Sequence, residues 1–194
     1  MSSAADGGWV TFPVTPLRCA IARDAGEVDT HHRVRHAVFV EEQAVFAGTD
    51  RDDHDCAGDT IKVLGFCGAV AAGAVRLFPL AQGAADWQGD RLAVLSWFRS
   101  HRLGAPLVEF AVATAAGMGG RHMAAHVQLA NVEFFEQLGW RRTGPVADYV
   151  GLAHQPMGID LSQRSSGPAA TALEATVSPA TVSPATVTPA TVSR

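Results

Sequence analysis

The stretch from Arg91 to Gln128 constrains the fold more than any other part of the chain. An apolar run ends at Leu95, the basic stretch Arg99-Ser100-His101-Arg102 follows, and Gly104 opens an apolar-periodic run to Gly117. Leu107, Phe110, Ala111 and Ala115 recur at helical spacing and predict a buried stripe. Pro106 falls in the first helical turn, where its missing N–H is tolerated, and Gly117, Gly119 and Gly120 end the helix. A strand is predicted before this helix, over Trp87–Leu95, and another after it, over His122–Leu129. Strand, helix and strand in this order make a βαβ unit near the centre of the fold. Backbone N–H groups at the helix start are unpaired and lie at the positive end of the dipole. With Arg99, His101 and Arg102 beside them they suit a phosphate or pyrophosphate. A basic loop facing water is the alternative on spacing alone.

Around this unit the pattern is mixed. Leu17–Ala22 reads as a short strand and Asp29–Phe39 as a helix with Val34 and Val38 on one face. Thr60–Val70 and Ala72–Phe78 read as a hairpin. Asn131–Leu138 reads as a short helix, with Asn131 placed to cap it and Gly139 to end it. Tyr149–Leu161 supplies one or two last strands. The expected class is α/β (α+β), organised in three parts: a flexible N-terminal arm over 1–16, one domain over 17–161, and a disordered tail over 162–194. The tail repeats A-T-V-[ST]-P from Ala175, and a proline every fifth residue interrupts helix and sheet alike.

Composition excludes several classes. The chain has 194 residues, 47% apolar and 18% charged, which fits one domain with a real core. A net charge of −4 implies no broad basic face, so no nucleic-acid partner is expected. Met1–Pro16 lacks the pattern of a signal peptide. The longest uncharged apolar stretch, Val63–Val75, is too short for a membrane helix, so no membrane partner is expected. Cys19, Cys56 and Cys67 form no C-x-x-C pair, which points to a reducing, cytoplasmic setting without disulfides or structural zinc.

Several segments carry a resemblance. Arg99-Ser100-His101-Arg102-Leu103-Gly104 resembles the Q/R-x-x-G-x-G/A loop of the GNAT superfamily of N-acetyltransferases, and Leu92–Leu95 resembles the strand before that loop. Asn131-x-x-Phe134-Phe135-x-x-x-Gly139-Trp140 is similar to the family's N-x-x-F-Y-x-x-x-G-F segment. Arg35-His36-x-Val38-Phe39-Val40-Glu41-x-Gln43, with Asp50, Asp52 and Asp53 downstream, is similar to a stretch of ElaA-like members and of GNAT proteins associated with nitrilase-type gene clusters. Tyr149-x-Gly151-x-x-His154-x-x-Met157 is similar to the closing ElaA-like segment. The resemblance covers about 17–161 and implies a central mixed, twisted sheet flanked by helices. Two parallel strands of that sheet splay apart to admit the pantetheine arm of acetyl-CoA. It further implies cofactor contacts at Ala93, Val94 and Leu95, at Arg99, Ser100, His101, Arg102, Leu103, Gly104 and Ala105, and at Asn131. Arg102 stands where the family has its first loop glycine. Phe135 stands where many members place the tyrosine that protonates the departing thiolate, and Tyr149 is the only tyrosine in the chain.

The implied activity is transfer of an acyl group, expected to be acetyl, to an amine, of a small molecule rather than of a protein, in a ternary complex. Many proteins of this type are homodimers. Acyl-homoserine-lactone synthesis and acyl-CoA binding without turnover are the alternatives. An amine nucleophile needs a group to take its proton. Glu41 and Glu42 after the first helix, His126 on the central strand and His154 in the closing segment are the candidates. Each has a structural reading too: a solvated helix end for the glutamates, a satisfied core histidine for His126. The five aspartates of Gly48–Asp59 lack the glycine and glutamate that would complete a calcium loop. No metal is expected there, and the segment reads as an acidic rim for a cationic amine or a solvated loop.

Overall fold

The computed structural model of the chain describes residues 15–81, 85–149 and 151–162. The expected arm and repeat tail lie almost wholly outside them. In chain order the elements are β1 (Leu17–Ile21), α1 (Ala25–His36), β2 (Ile61–Cys67), β3 (Val70–Pro79), β4 (Asp86–Val94), α2 (Gly104–Gly117), β5 (His122–Gln128), α3 (Val132–Gln137), β6 (Arg141–Arg142), β7 (Ala147–Tyr149) and β8 (Leu152–Asp160). They build one mixed sheet in the order β1-β2-β3-β4-β5-β8-β6, with β7 also on β8. Only the β4–β5 ladder is parallel, as the βαβ reading requires. β6, two residues long, carries no periodicity to read, and its existence depends on β8 alone.

The two faces of the sheet are covered differently. Gly73 faces α2, where a Cβ would sit 2.6 Å from the Leu107 side chain, so the strand and helix approach too closely for any other residue. Leu107, Ala111 and Ala115 form the predicted stripe and are buried with Val75, Trp87, Met123 and Met157 in the main core. Ala74 faces the other way, against Val34, Val38 and Phe39 of the α1 side.

Helix α1 begins four residues before its expected start. Asp24 caps it by accepting from the Glu27 N–H at 2.9 Å, and the Glu27 carboxylate accepts from the Arg23 N–H at 2.7 Å. Its first turn is polar and exposed, so apolar periodicity did not mark it. Past His36 the helix widens to i→i+5 bonding over Ala37–Glu42. Its inner face is not the plain apolar stripe expected from Val34 and Val38, because His31 and Arg35 are both fully buried beside them.

That polar face corrects the reading of the aspartate loop. The Asp50 and Asp55 side chains are buried, while Asp53 and Asp59 of the same loop are exposed. Arg35 donates to Asp50 at 2.7 Å and to both oxygens of Asp55 at 2.6 and 3.0 Å. Arg76 of β3, fully buried, donates to Asp52 and to both oxygens of Asp90. Arg91 donates to Asp52 at 3.1 Å and to the Asp50 carbonyl at 3.3 Å. Burial works against the charge on Asp55, yet the guanidinium groups of Arg35 and Arg76 hold its carboxyl well below the usual range. Among the described residues no cluster of three or more histidine, cysteine or acidic side chains is arranged to hold a metal.

A buried ion cluster is expensive to break, because removing one partner strands the opposite charge in a poor dielectric. Arg76→Met therefore lowers unfolding free energy by about 3–5 kcal/mol, measured by urea denaturation at pH 7. A second prediction follows from His31, whose Nε2–H donates to the Val75 carbonyl at 3.2 Å and whose Nδ1 is buried without a partner. Burial first, and Arg35 next, lower its pKa to about 3. Below the ordinary histidine pKa the unfolded chain takes up a proton that native His31 refuses. This contribution is therefore lost as pH falls from about 7 toward 5, by up to about 1.4 kcal/mol per pH unit. Urea midpoints across that window test this, and His31→Gln flattens the slope.

Candidate active site

The site begins where the central ladder stops. β4 and β5 pair only over Asp86–His122, Trp87–Met123 and Gln88–Ala124. Beyond Gln88 the strands part. A bulge sits at this point: Asp90 pairs with Arg76 and Ala93 with Ala74, so β4 carries one extra residue, and Arg91 takes a left-handed backbone with φ of 51°. Arg91 holds that conformation with its side chain tied into the ion cluster and its guanidinium 4.7 Å above the Phe46 ring. A Cβ on Gly89, just before the bulge, would lie 2.9 Å from the Met123 methyl and would push that flexible end aside. That glycine inside a strand was the available signal of the bulge, and the sequence reading passed over it.

The gap opens into a cavity of about 130 Å³ that runs through the sheet. On the α1 side its walls are Phe39, Val45 and Phe46, with Gln43 and Gln128 joined by a 3.2 Å hydrogen bond across the opening. His126, Tyr149 and His154 line the same side. The His126 and Tyr149 rings stack at 4.7 Å and 3°, and His154 meets Tyr149 edge-on at 5.4 Å. His154 is buried, and its Nδ1 lies 2.9 Å from the Leu152 carbonyl. A carbonyl only accepts, so Nδ1 carries the proton and Nε2 keeps its lone pair. Among the described residues that Nε2 has no hydrogen-bond partner.

Strand alternation gives the histidines this placement. His126 and Gln128 share one face of β5, as expected, while Met123, Ala125 and Val127 point to the α2 side. His154 lies opposite Gln128 in the antiparallel β5–β8 register and so joins the same face. Asn131 lines the cavity but does not cap α3 through its side chain. Phe135 lines it too, against Trp140 at 5.3 Å.

Glu41 and Glu42 fall outside the cavity lining. Glu41 is exposed and lies 3.3 Å from His36. Glu42 forms a two-pronged pair with Arg99, at 2.7 and 2.8 Å. Arg99 also donates its Nε–H to the Val94 carbonyl at 3.1 Å. Leu95 donates to Ala72 on the β3 side, so Val94 presents its polar groups to the open side. Ala93 is buried in the α1-side cluster.

The start of α2 is uncapped. Leu103, fully buried, occupies the cap position with no polar side chain to offer, and among the described residues the N–H groups of Leu103, Gly104 and Ala105 have no backbone acceptor. Ser100, His101 and Arg102 are exposed beside them. Arg102 has φ of 61°, the conformation a glycine would take most easily, so the loop keeps a glycine backbone under an arginine side chain. A Cβ on Gly104 would meet the Phe134 ring at 3.4 Å, ordinary van der Waals contact. Trp87 and Trp140 are buried, whereas Trp97 is 88% exposed on the short Ser96–His101 turn.

The sequence profile of the acetyltransferase (GNAT) domain matches residues 71–161, the stretch that contains the splayed strands, the basic loop and α2. Residues 71–161 carry a GNAT acetyltransferase domain. Its fold is shared with a candidate N-acetyltransferase from Lactobacillus plantarum at 23% identity and a TM-score of 0.67, over 75% of this chain and 99% of that one. Escherichia coli ElaA is similar at 19% identity and 0.64, over 74% and 98%. A CoA-dependent acyl-homoserine lactone synthase, BjaI, is similar at 19% identity and 0.62, over 78% and 86%. No curated protein matches the chain in sequence. In this GNAT domain the loop glycine position is tested by substitution. Arg102→Gly leaves thermal stability unchanged or higher, whereas Arg102→Val, a branched residue forced into the left-handed region, costs about 1–3 kcal/mol by thermal melting.

Proposed function

We propose that the protein transfers an acyl group from an acyl-CoA thioester to the amine of a small molecule, by direct attack within a ternary complex. The observation that carries this reading is the end of the β4–β5 ladder after three pairs, beside an uncapped helix start. The cleft gives an extended thioester arm a strand edge to lie on, and the helix start supplies N–H groups for its phosphates. Leu103, Gly104 and Ala105 would donate those N–H groups, with Arg99 and Arg102 adding charge. Arg99 would leave Glu42 to do so. The open edge of β4 from Ala93 to Leu95, with Asn131 opposite, would hold the pantetheine arm, and a backbone N–H there would polarise the thioester carbonyl.

The amine would enter from the polar side of the cavity. Its nitrogen attacks the thioester carbon and the C–N bond forms as the C–S bond breaks. The proton it loses passes to Nε2 of His154, which is the available lone pair, or to His126 stacked next to it through Tyr149. The sulfur leaves with a proton that Phe135 cannot give. Tyr149, the phenol lining the cavity, would give it. Glu41 and Glu42 have no part in this step. The acidic loop supplies no cation site, since its aspartates are spent on Arg35, Arg76 and Arg91.

Isothermal titration with acetyl-CoA tests the donor, alongside Arg99→Glu and Gly104→Trp. Wild type binds, and each variant loses at least tenfold in affinity. A folded wild type that binds no CoA ester overturns the reading. For the base, His154→Gln lowers kcat by about 10²–10⁴-fold in a thiol-release assay across an amine panel, with the KM for the CoA ester little changed.

A further inference from the structure

We infer that the acyl group this protein carries is longer than acetyl, and that Met123 sets the limit of its length. The inference rests on the acyl-CoA reading above and concerns the α2 side of the same cavity, for which no polar mouth is needed. Two halves of that cavity differ sharply. The α1 side presents the polar groups of His126, Tyr149, His154, Gln43 and Gln128 beside the apolar Phe39, Val45 and Phe46. The α2 side presents Val75, Leu92, Val108, Ala111, Met123 and Phe135, with no charged side chain among them. A thioester carbonyl at the mouth therefore has its nucleophile on one side of the sheet and a hydrocarbon-lined hole on the other.

Such a hole is unusual inside a packed core, where voids forfeit dispersion contacts and destabilise. Here small residues keep it open: Ala111, 2% exposed on α2, and Gly89, at the parting of the strands. The buried Met123 side chain reaches across from β5 to β4 and lies over Gly89, closing the cavity where the last ladder pairs form. Methionine is unbranched and adapts its shape, which suits a closing wall that yields to an apolar chain. An acetyl methyl would leave most of these apolar walls uncovered, whereas a straight chain of several methylenes covers them. The occupant is therefore the acyl tail of the CoA ester. A bulky apolar acceptor does not fit the same description, because the acceptor must meet the histidines on the opposite side of the sheet.

The test is a chain-length series, titrating the full chain with CoA, acetyl-CoA, butyryl-CoA, hexanoyl-CoA and octanoyl-CoA. Affinity is expected to rise about fourfold per added methylene until the pocket is filled, then to level or fall. Met123→Ala moves that turning point to longer esters, and Ala111→Leu moves it to shorter ones, both with CoA affinity unchanged. Binding of CoA and acetyl-CoA with no gain for longer esters overturns the inference while leaving the transferase reading intact. Failure of CoA itself to bind overturns both. If a variant does not fold, by far-UV circular dichroism, the wild-type series alone decides.

Discussion

The structure depends on a cluster of opposite charges taken out of water. Arg35 from α1, Arg76 from β3 and Arg91 from β4 share the carboxylates of Asp50, Asp52, Asp55 and Asp90. Each arginine sits on a different element, so the cluster ties helix, sheet and the 43–59 loop into one arrangement. Desolvation of so many ions is costly, and their pairing is what makes the cost bearable. The geometric consequence matters more than the energy. With Arg91 anchored, the backbone of β4 is held in its bulge and turned away from β5, and the ladder cannot zip past Gln88. The opening in the sheet is therefore fixed by interactions on the α1 face, away from the helix α2 that lines its far end.

That opening divides two kinds of chemistry with one sheet. Alternation along β5 sends His126 and Gln128 to one side and Met123, Ala125 and Val127 to the other. A reaction that joins an apolar acyl group to a polar nucleophile suits such a partition, since each partner approaches from the side whose walls resemble it. The Glu42–Arg99 pair adds a link between the end of α1 and the basic loop. Both groups are substantially exposed, so the pair is weak in water.

The legible parts of this protein were those with local causes. α2 came out over its predicted residues because Gly104, Pro106 and the terminal glycines punctuate an apolar repeat. The hairpin of β2 and β3 followed from two apolar, β-prone runs, and β5 from the strand expected over His122–Leu129. The illegible parts depend on partners far along the chain. The aspartates after Gly48 read as a solvated loop, since nothing local reveals that Arg35, Arg76 and Arg91 converge on them. Glu41 and Glu42 sit near the expected pocket in sequence, but the widened turn at 37–42 carries them to its outside. Tyr149 was conspicuous only as the sole tyrosine, and its stacking on His126 needs the β7–β8 pairing.

By itself, then, the sequence determined the order of elements, the uncapped basic start of α2, and which residues of β5 share a face. These are set by propensity, capping and the repeat of a strand, all of which act over a few residues. Only the tertiary structure decided that Asp50, Asp52 and Asp55 are ion-paired, that β4 bulges at Arg91, and that His154 and His126 both meet Tyr149 over a cleft through the sheet. Charge pairing and strand register act across tens of residues, and no short window of sequence holds both partners.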